Sequence, residues 1–144
     1  MNQATGNHCI LELYECPQEL LDSERFVRSA LSCAAEESGS TLLSIVSHKF
    51  DPQGVTAIGL LAESHISIHT WPEMGYAAAD VFTCGVCCDP VKACRFLVER
   101  FKAGHHTRDR IQRGPISTID AIRPSKKIES EEECPQMPRL SRYG

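Results

Sequence analysis

Residues 62–76 contain the densest group of side chains in this chain that could do covalent chemistry. The segment reads AESHISIHTWPEMGY and places serine, histidine and glutamate among β-branched and aromatic residues. Serine can act as a nucleophile, histidine exchanges protons near neutral pH, and glutamate accepts hydrogen bonds. A purely structural strand needs few polar residues, and only on its wet face. We therefore interpret this segment as the centre of a reactive site.

Ser64 and the two nearby histidines fit no hydrolase or metalloprotease motif. Ser64 lacks the G-x-S-x-G surroundings of a hydrolase nucleophile, and a lone serine is most often a solvated hydroxyl. His65 and His69 are four residues apart, a spacing at which two metal ligands share one face of a helix. The segment has strand periodicity and lacks the H-E-x-x-H glutamate, so we expect no metal site. Each histidine is then either a hydrogen-bonded core residue or a general base.

Three of the eight cysteines lie in the segment 84–88, which contains one C-x-x-C pair. A structural zinc site typically needs a second pair, and the thioredoxin pattern is otherwise missing, so zinc and redox functions remain minor alternatives. Cys84 ends a predicted strand just before a glycine, where its thiol can point into a site and donate a proton. We assign no role to Cys87 or Cys88.

Length, charge and hydropathy restrict the class of protein. A chain of 144 residues with a net charge of −4 and no basic block predicts one domain that does not bind nucleic acid. No apolar run approaches the ~20 residues that cross a bilayer, and the N-terminus is unlike a signal peptide. We therefore expect a cytoplasmic protein with free thiols. A domain over 1–114 is expected to precede a loosely ordered tail over 115–144.

Hydrophobic periodicity predicts an α+β fold. Strand patterns occupy 64–71 and 76–84, and a polar edge strand is expected at 105–113. Helical spacing begins around Leu20, with Asp22 or Ser23 as a candidate cap, and Asp89-Pro90 marks the start of a second helix. The predicted order β-α-β-β-β-α-β favours a two-layer α/β sandwich, with two helices on one face of a mainly antiparallel sheet. The other face of the sheet needs cover, so we expect a partner subunit.

The central segment also carries a longer and more specific pattern. Residues 62–85, AESHISIHTWPEMGYAAADVFTCG, closely resemble prokaryotic S-adenosylmethionine decarboxylase proenzymes. The similarity extends over roughly residues 6–114 and includes the shorter matches Gly6-Asn7-His8, His48-Lys49-Phe50 and Asp89-Pro90. The resemblance implies a self-processing, pyruvoyl-dependent decarboxylase of S-adenosylmethionine. Its product would be the aminopropyl donor for spermidine biosynthesis.

The resemblance assigns the processing chemistry to particular residues. It implies self-cleavage between Glu63 and Ser64, giving the fragments 1–63 and 64–144. Ser64 would become a covalent pyruvoyl group, which forms a Schiff base with the substrate amine and accepts the electrons released by decarboxylation. His69 would be the proton acceptor that drives elimination during processing.

The remaining assignments from the resemblance concern the substrate and the assembly. Cys84 would donate the proton that replaces CO2 on the substrate. Phe50 would stack on adenine, Glu73 would accept hydrogen bonds from the ribose hydroxyls, and Thr56 would assist processing. The family builds its sites at a dimer interface, so the resemblance implies a homodimer of cleaved protomers with shared active sites.

Three features of the sequence qualify these expectations. Strict strand alternation puts Ser64 and His69 on opposite faces, so we expect Glu63 and Ser64 to lie in a strained turn where alternation has not begun. Asn7 stands where the family has a basic residue. Thr56 stands where the family has serine, which keeps the hydroxyl but adds a methyl group, so slower processing is expected.

Two other functions remain compatible with the pattern. A pyruvoyl-dependent ornithine or arginine decarboxylase would keep the processing chemistry but would have no use for nucleoside contacts at Phe50 and Glu73. A non-catalytic relative that binds a ligand or a partner would not need Ser64, His69 and Cys84 together.

Overall fold

A computed structural model of the chain describes residues 6–115, which form six strands and three helices. The strands are β1 (Gly6–Tyr14), β2 (Leu42–Lys49), β3 (Val55–Leu61), β4 (Ser64–Trp71), β5 (Tyr76–Cys84) and β6 (His105–Arg113). The helices are α1 (Gln18–Leu21), α2 (Glu24–Glu37) and α3 (Pro90–Arg100). A 3₁₀ turn, Pro72–Met74, connects β4 to β5.

All six strands form one antiparallel sheet in the order β2-β3-β4-β5-β1-β6. The predicted α+β sandwich is confirmed, since α2 and α3 pack against the same face of this sheet. The edge position of β6 is confirmed as well. The predicted order β-α-β-β-β-α-β is one strand short, because three chain reversals at 50–54, 62–63 and 72–75 separate four strands between α2 and α3.

Side-chain caps fix the starts of the two long helices. Ser23 Oγ accepts a hydrogen bond from the backbone N–H of Phe26 at 3.1 Å, which satisfies a free donor at the start of α2. The Asp89 carboxylate accepts from the Val91 N–H at 2.9 Å, and Pro90 occupies the first position of α3. Both helices therefore begin close to where the sequence pattern predicts them.

The hydrophobic core lies between the helices and one face of the sheet, which we call the inner face; the opposite side is the open face. Alternation along each strand sends side chains to one face or the other. On the inner face, Leu11, Ile66 and Ile68 are fully buried. On the open face, Ile58 and Leu60 are 42% and 54% exposed, so no described element covers this side of the sheet.

The chain leaves the described region at the sheet edge. β6 is paired with β1 along its whole length, from His105 opposite Tyr14 to Arg113 opposite Gly6. The predicted tail over 115–144 lies outside the described residues, apart from Pro115. Within residues 6–115, no helix has both the length and the apolar character needed to cross a membrane.

The substitution Leu31→Ala tests how much the packing of α2 against the core stabilises the fold. The Leu31 side chain is fully buried, so Leu31→Ala leaves a cavity that close-packed neighbours fill only in part. We expect the free energy of unfolding, measured by urea titration, to fall by about 2–5 kcal/mol. Leu43→Ala removes the same atoms from a side chain that is 61% exposed, and should cost less than about 0.5 kcal/mol. Equal losses in the two variants would contradict this core.

Candidate active site

The backbone is strained where β3 passes into β4. Glu63 lies in the turn after β3, and Ser64 is the first residue of β4. Ser64 has a φ of 146°, a conformation that residues other than glycine rarely adopt. The strain expected from the sequence is therefore present at Ser64. The expectation that Ser64 lies in the turn is wrong, because Ser64 is already paired within the sheet, opposite Leu61 and Thr83. Strain of this kind persists only where neighbouring contacts hold it, and it concentrates at functional sites.

Hydrogen bonds hold Glu63 on both sides of this junction. The backbone N–H of Cys84, at the end of β5, donates to the Glu63 carbonyl oxygen at 2.8 Å. Glu63 Oε2 accepts a hydrogen bond from the Thr41 N–H at 3.0 Å. An N–H aimed at a carbonyl oxygen stabilises the negative charge that forms there when the carbon is attacked. We call Glu63, Ser64 and Cys84 the cleavage cluster.

A second group of predicted site residues surrounds a cavity at the other end of β4. His69 Nδ1 lies 2.9 Å from Thr56 Oγ1 on β3, so the hydroxyl retained by threonine does reach the histidine. The cavity has a volume of about 320 Å³ and is lined by Phe50, Gln53, Gly54, Thr56, His69, Thr70, Trp71 and Glu73. We call Phe50, Thr56, His69 and Glu73 the binding cluster.

An aromatic stack borders the binding cluster. The ring of Trp71 stacks on that of Tyr76 with centroids 5.2 Å apart, and Tyr76 stacks on Tyr14 at 5.5 Å. Tyr76 also donates its hydroxyl hydrogen to the Glu12 carboxylate. Burial and the Glu12 carboxylate raise the pKa of Tyr76 to about 12, so the phenol stays neutral. Through Trp71, which lines the cavity, the stack borders the binding cluster with an aromatic side chain.

The cleavage and binding clusters do not meet within one chain. Ser64 and His69 stand near opposite ends of β4, and five residues of extended strand span roughly 16 Å. That distance is far beyond direct proton transfer between the Ser64 residue and the imidazole. The structure thus assembles each predicted group separately, and a single protomer keeps the two apart.

The open face also carries a polar network that the sequence pattern did not reveal. Asp80 Oδ2 accepts hydrogen bonds from Nε2 of His8 and of His65, each at 2.7 Å. Ser67 donates to the other carboxylate oxygen. Arg113 Nη1 approaches His8 Nδ1 at 3.4 Å. We call Asp80, His8, His65 and Ser67 the Asp80 network.

Asp80 is ionised in this network. Burial disfavours its charged form, but hydrogen bonds from Ser67, His65 and His8 outweigh burial and hold the pKa of the carboxyl below its ordinary value. A signal for Asp80 was present in the sequence. Residues 80, 82 and 84 of β5 alternate with the apolar Val81, so strand alternation places Asp80 on the same face of the sheet as Cys84.

The two histidines of the central segment belong to different groups. His65 and His69 are separated by roughly 13 Å of strand, too far for both to bind one ion. The ligand atoms of His8, His65 and Asp80 lie within 4.8 Å of one another, and this is where the described residues could hold a cation. Their direct hydrogen bonds already satisfy those atoms without an ion.

The cysteines of the segment 84–88 and Asn7 are two further features that the sequence analysis singled out. Cys84, Cys87 and Cys88 are free thiols, and Cys88 Sγ donates to the Gly39 carbonyl at 3.6 Å. Asn7, which replaces a basic residue of the family pattern, accepts a hydrogen bond from the Arg110 guanidinium at 3.0 Å.

Asp80→Asn tests the stabilising role of the Asp80 network. Asparagine keeps the size but loses the charge, so we expect the free energy of unfolding at pH 7 to fall by about 1–3 kcal/mol. A carboxyl with a lowered folded-state pKa stabilises the fold above its unfolded pKa, and this contribution disappears as the pH falls through the folded pKa. The wild-type chain should therefore lose stability below about pH 4, and Asp80→Asn should lose less. Urea titrations at pH 7, 5 and 3 measure both effects; equal losses on acidification would count against the network.

Comparisons with known proteins identify the family of this chain. Residues 7–114 match the family model described as S-adenosylmethionine decarboxylase. The S-adenosylmethionine decarboxylase proenzyme of Synechococcus sp. (strain WH7803) is 58% identical over 101 residues, covering 70% of this chain and 79% of that protein. The proenzyme of the same name from Parasynechococcus marenigrum (strain WH8102) is 51% identical over 119 residues, covering 82% and 93%.

A solved structure has the same architecture. The crystal structure of the adenosylmethionine decarboxylase from Aquifex aeolicus VF5 superimposes with a TM-score of 0.74 at 30% sequence identity, covering 91% of this chain and 100% of that one. The resemblance seen in the central segment is thereby confirmed over most of the chain. This chain belongs to the S-adenosylmethionine decarboxylase family.

Proposed function

We propose that this chain is a self-processing decarboxylase of S-adenosylmethionine that uses a pyruvoyl group made from Ser64. The hydrogen bond from the Cys84 N–H to the Glu63 carbonyl supports this most directly, because it polarises the peptide bond that precedes a strained serine. Self-cleavage requires a polarised carbonyl and a hydroxyl on the next residue, and later proton donation requires an acidic group such as the thiol of Cys84, whose backbone N–H contacts this carbonyl.

Ser64 acts on its own backbone. Its Oγ attacks the Glu63 carbonyl carbon and forms a C–O bond. The C–N bond then breaks as the nitrogen takes a proton, so an ester replaces the amide. The Cys84 N–H stabilises the charge on the carbonyl oxygen during the attack. His69 of a second chain then removes the Cα proton of residue 64, which breaks the Cβ–O bond and expels the Glu63 carboxylate. The methylene carbon left behind takes up a proton to give an imine, and water hydrolyses the imine to the pyruvoyl carbonyl and ammonia.

The position of residue 64 fits a pyruvoyl group. Cleavage leaves this residue at the free end of β4, directly beside the end of β5 that carries the Cys84 thiol. A pyruvoyl carbonyl supplies an electron sink for the charge that remains on the substrate when CO2 departs. Cys84 is a free thiol and holds the proton that the substrate carbon receives.

The binding cluster suits a cationic nucleoside. Phe50 offers a ring for stacking on adenine, and the Glu73 carboxylate accepts hydrogen bonds from a ribose diol. The positive sulfonium is favoured next to aromatic faces such as that of Trp71, which lines the same cavity. Ornithine and arginine have neither an adenine nor a ribose, so they would leave these groups unused.

We propose that two chains share each active site. Because the two clusters stand near opposite ends of β4, a two-fold axis across the open face would bring each cleavage cluster to the binding cluster of the other chain. The open face exposes Val46, Ile58 and Leu60 by 61%, 42% and 54%, apolar surface that such a homodimer would bury. Thr56 and His69 would then assist processing of the other chain.

Intact mass of the purified protein tests self-processing. We expect two fragments, 1–63 and 64–144, with a pyruvoyl group blocking the start of the second. Ser64→Ala removes the attacking hydroxyl, so this variant should stay a single inactive chain. A wild-type chain that stays whole after prolonged incubation would refute the proposal.

The cleaved protein also tests the substrate. CO2 release should occur with S-adenosylmethionine and should be negligible with ornithine or arginine at the same concentration. Release from either amino acid but not from S-adenosylmethionine would instead assign the alternative decarboxylase function. Glu73→Gln should raise KM for S-adenosylmethionine by about 10-fold, the cost of weakening one charged hydrogen bond.

Co-expression of two inactive variants tests the shared site. Alone, His69→Ala and Ser64→Ala chains should both remain uncleaved. In a mixed dimer, the intact Ser64 of one chain meets the intact His69 of the other, so only the His69→Ala chain should be cleaved. With random pairing, roughly half of the His69→Ala chains should be cut.

Different affinity tags make this result interpretable. Pull-down through one tag verifies that mixed dimers form before cleavage is scored by mass. Replacing the Ser64→Ala chain by a Ser64→Ala/His69→Ala double variant removes the complementing imidazole and should abolish cleavage. Mixed dimers without cleavage would show that the two clusters do not act across the interface.

A further inference from the structure

Thr83 carries a buried hydroxyl without a partner. It is the next-to-last residue of β5, is fully buried, and its Oγ1 makes no hydrogen bond within residues 6–115. Other buried hydroxyls do have partners: Ser38 Oγ lies 2.8 Å from the Ala35 carbonyl, and Thr70 Oγ1 lies 2.7 Å from the Leu21 carbonyl. An unsatisfied buried polar group destabilises the fold, so its presence calls for an explanation.

The location of Thr83 explains why an unsatisfied hydroxyl is found there. Thr83 is the direct cross-strand partner of Ser64 in the β4–β5 pairing. Side chains of directly opposite residues in antiparallel strands lie on the same face, with Cβ atoms roughly 4.5–5.5 Å apart. The next residue, Cys84, donates its N–H to the Glu63 carbonyl at 2.8 Å. Two consecutive residues of β5 therefore flank the peptide bond that Ser64 attacks.

We propose that Thr83 is a positioning residue for self-processing, whose hydroxyl accepts the Ser64 O–H and holds Ser64 Oγ toward the Glu63 carbonyl carbon. The proposal requires a staggered rotamer of Ser64 in which the two hydroxyls meet. Thr83 takes up no proton; it orients the nucleophile while the Cys84 N–H orients the carbonyl. The inference rests on the proposed cleavage at Ser64.

Valine separates this role from a structural one, because it has the shape of threonine without the hydroxyl. If Thr83 only fills space, Thr83→Val relieves an unsatisfied polar group and leaves the rate of cleavage unchanged. If Thr83 positions Ser64, the same change slows cleavage while the melting temperature stays level or rises. Stability and processing then move in opposite directions, which a packing defect cannot produce.

Full-length chains made by cell-free translation allow cleavage to be timed from synthesis, by the intact mass of the 64–144 fragment. We expect Thr83→Val to slow cleavage by roughly 10- to 100-fold, the range that misplacing a reacting group costs. Thr83→Ser keeps the hydroxyl and should recover most of the rate. Melting temperatures are compared in the uncleavable Ser64→Ala background, where Thr83→Val should equal or exceed its parent.

Ser38→Ala is the matched control, since it removes a buried hydroxyl that has a partner and lies at the end of α2. It should lower the melting temperature and leave the cleavage rate unchanged. Cleavage of Thr83→Val at the wild-type rate would overturn the role of Thr83 alone. Slower cleavage with a lower melting temperature and no recovery in Thr83→Ser would also overturn it. Wild-type chains that never cleave would instead overturn the proposed function.

Discussion

The register between β4 and β5 determines where Ser64, His69 and Cys84 lie relative to one another. Ser64 pairs with Thr83 at one end, and Trp71 pairs with Tyr76 at the other, next to the turn that closes the hairpin. Gly75 completes that turn with a φ of 60°, where a side chain would be disfavoured. A slip of one residue would turn the side chains of β4 to the wrong faces and would move Glu63 away from the Cys84 N–H.

The strained backbone at Ser64 is held by hydrogen bonds that Glu63 makes to two other segments of the chain. The carbonyl of Glu63 is held by β5, and its carboxylate reaches the Thr41 N–H just before β2. Glutamate is long enough to make the second contact while its backbone makes the first. The residue before the serine therefore does more than supply a carbonyl, because its side chain helps to keep an unfavourable backbone conformation in place.

Local patterns in the sequence predicted most of the secondary-structure elements, although their order was one strand short, but they did not predict the distances between groups. Alternation and Pro72 gave the bounds of β4, and Asp89-Pro90 gave the start of α3. Alternation indicates only which face of the sheet a side chain lies on. It could not show that His69 and Ser64 of one chain are too far apart to react with each other. Asp80 was missed because its partner His8 lies 72 residues away, on a strand that reaches β5 only through the non-local order of the sheet.

The same sheet order determines what the proposed cut between residues 63 and 64 would leave behind. β1 would belong to the first fragment yet lies between β5 and β6, which would belong to the second, while β3 and β4 are neighbours that the cut would assign to different fragments. The two fragments would occupy alternating blocks of the sheet, so pulling them apart would break the pairings β3–β4, β5–β1 and β1–β6. A chain end can thus be created in the middle of the sheet, and the two polypeptides should still unfold as one cooperative unit.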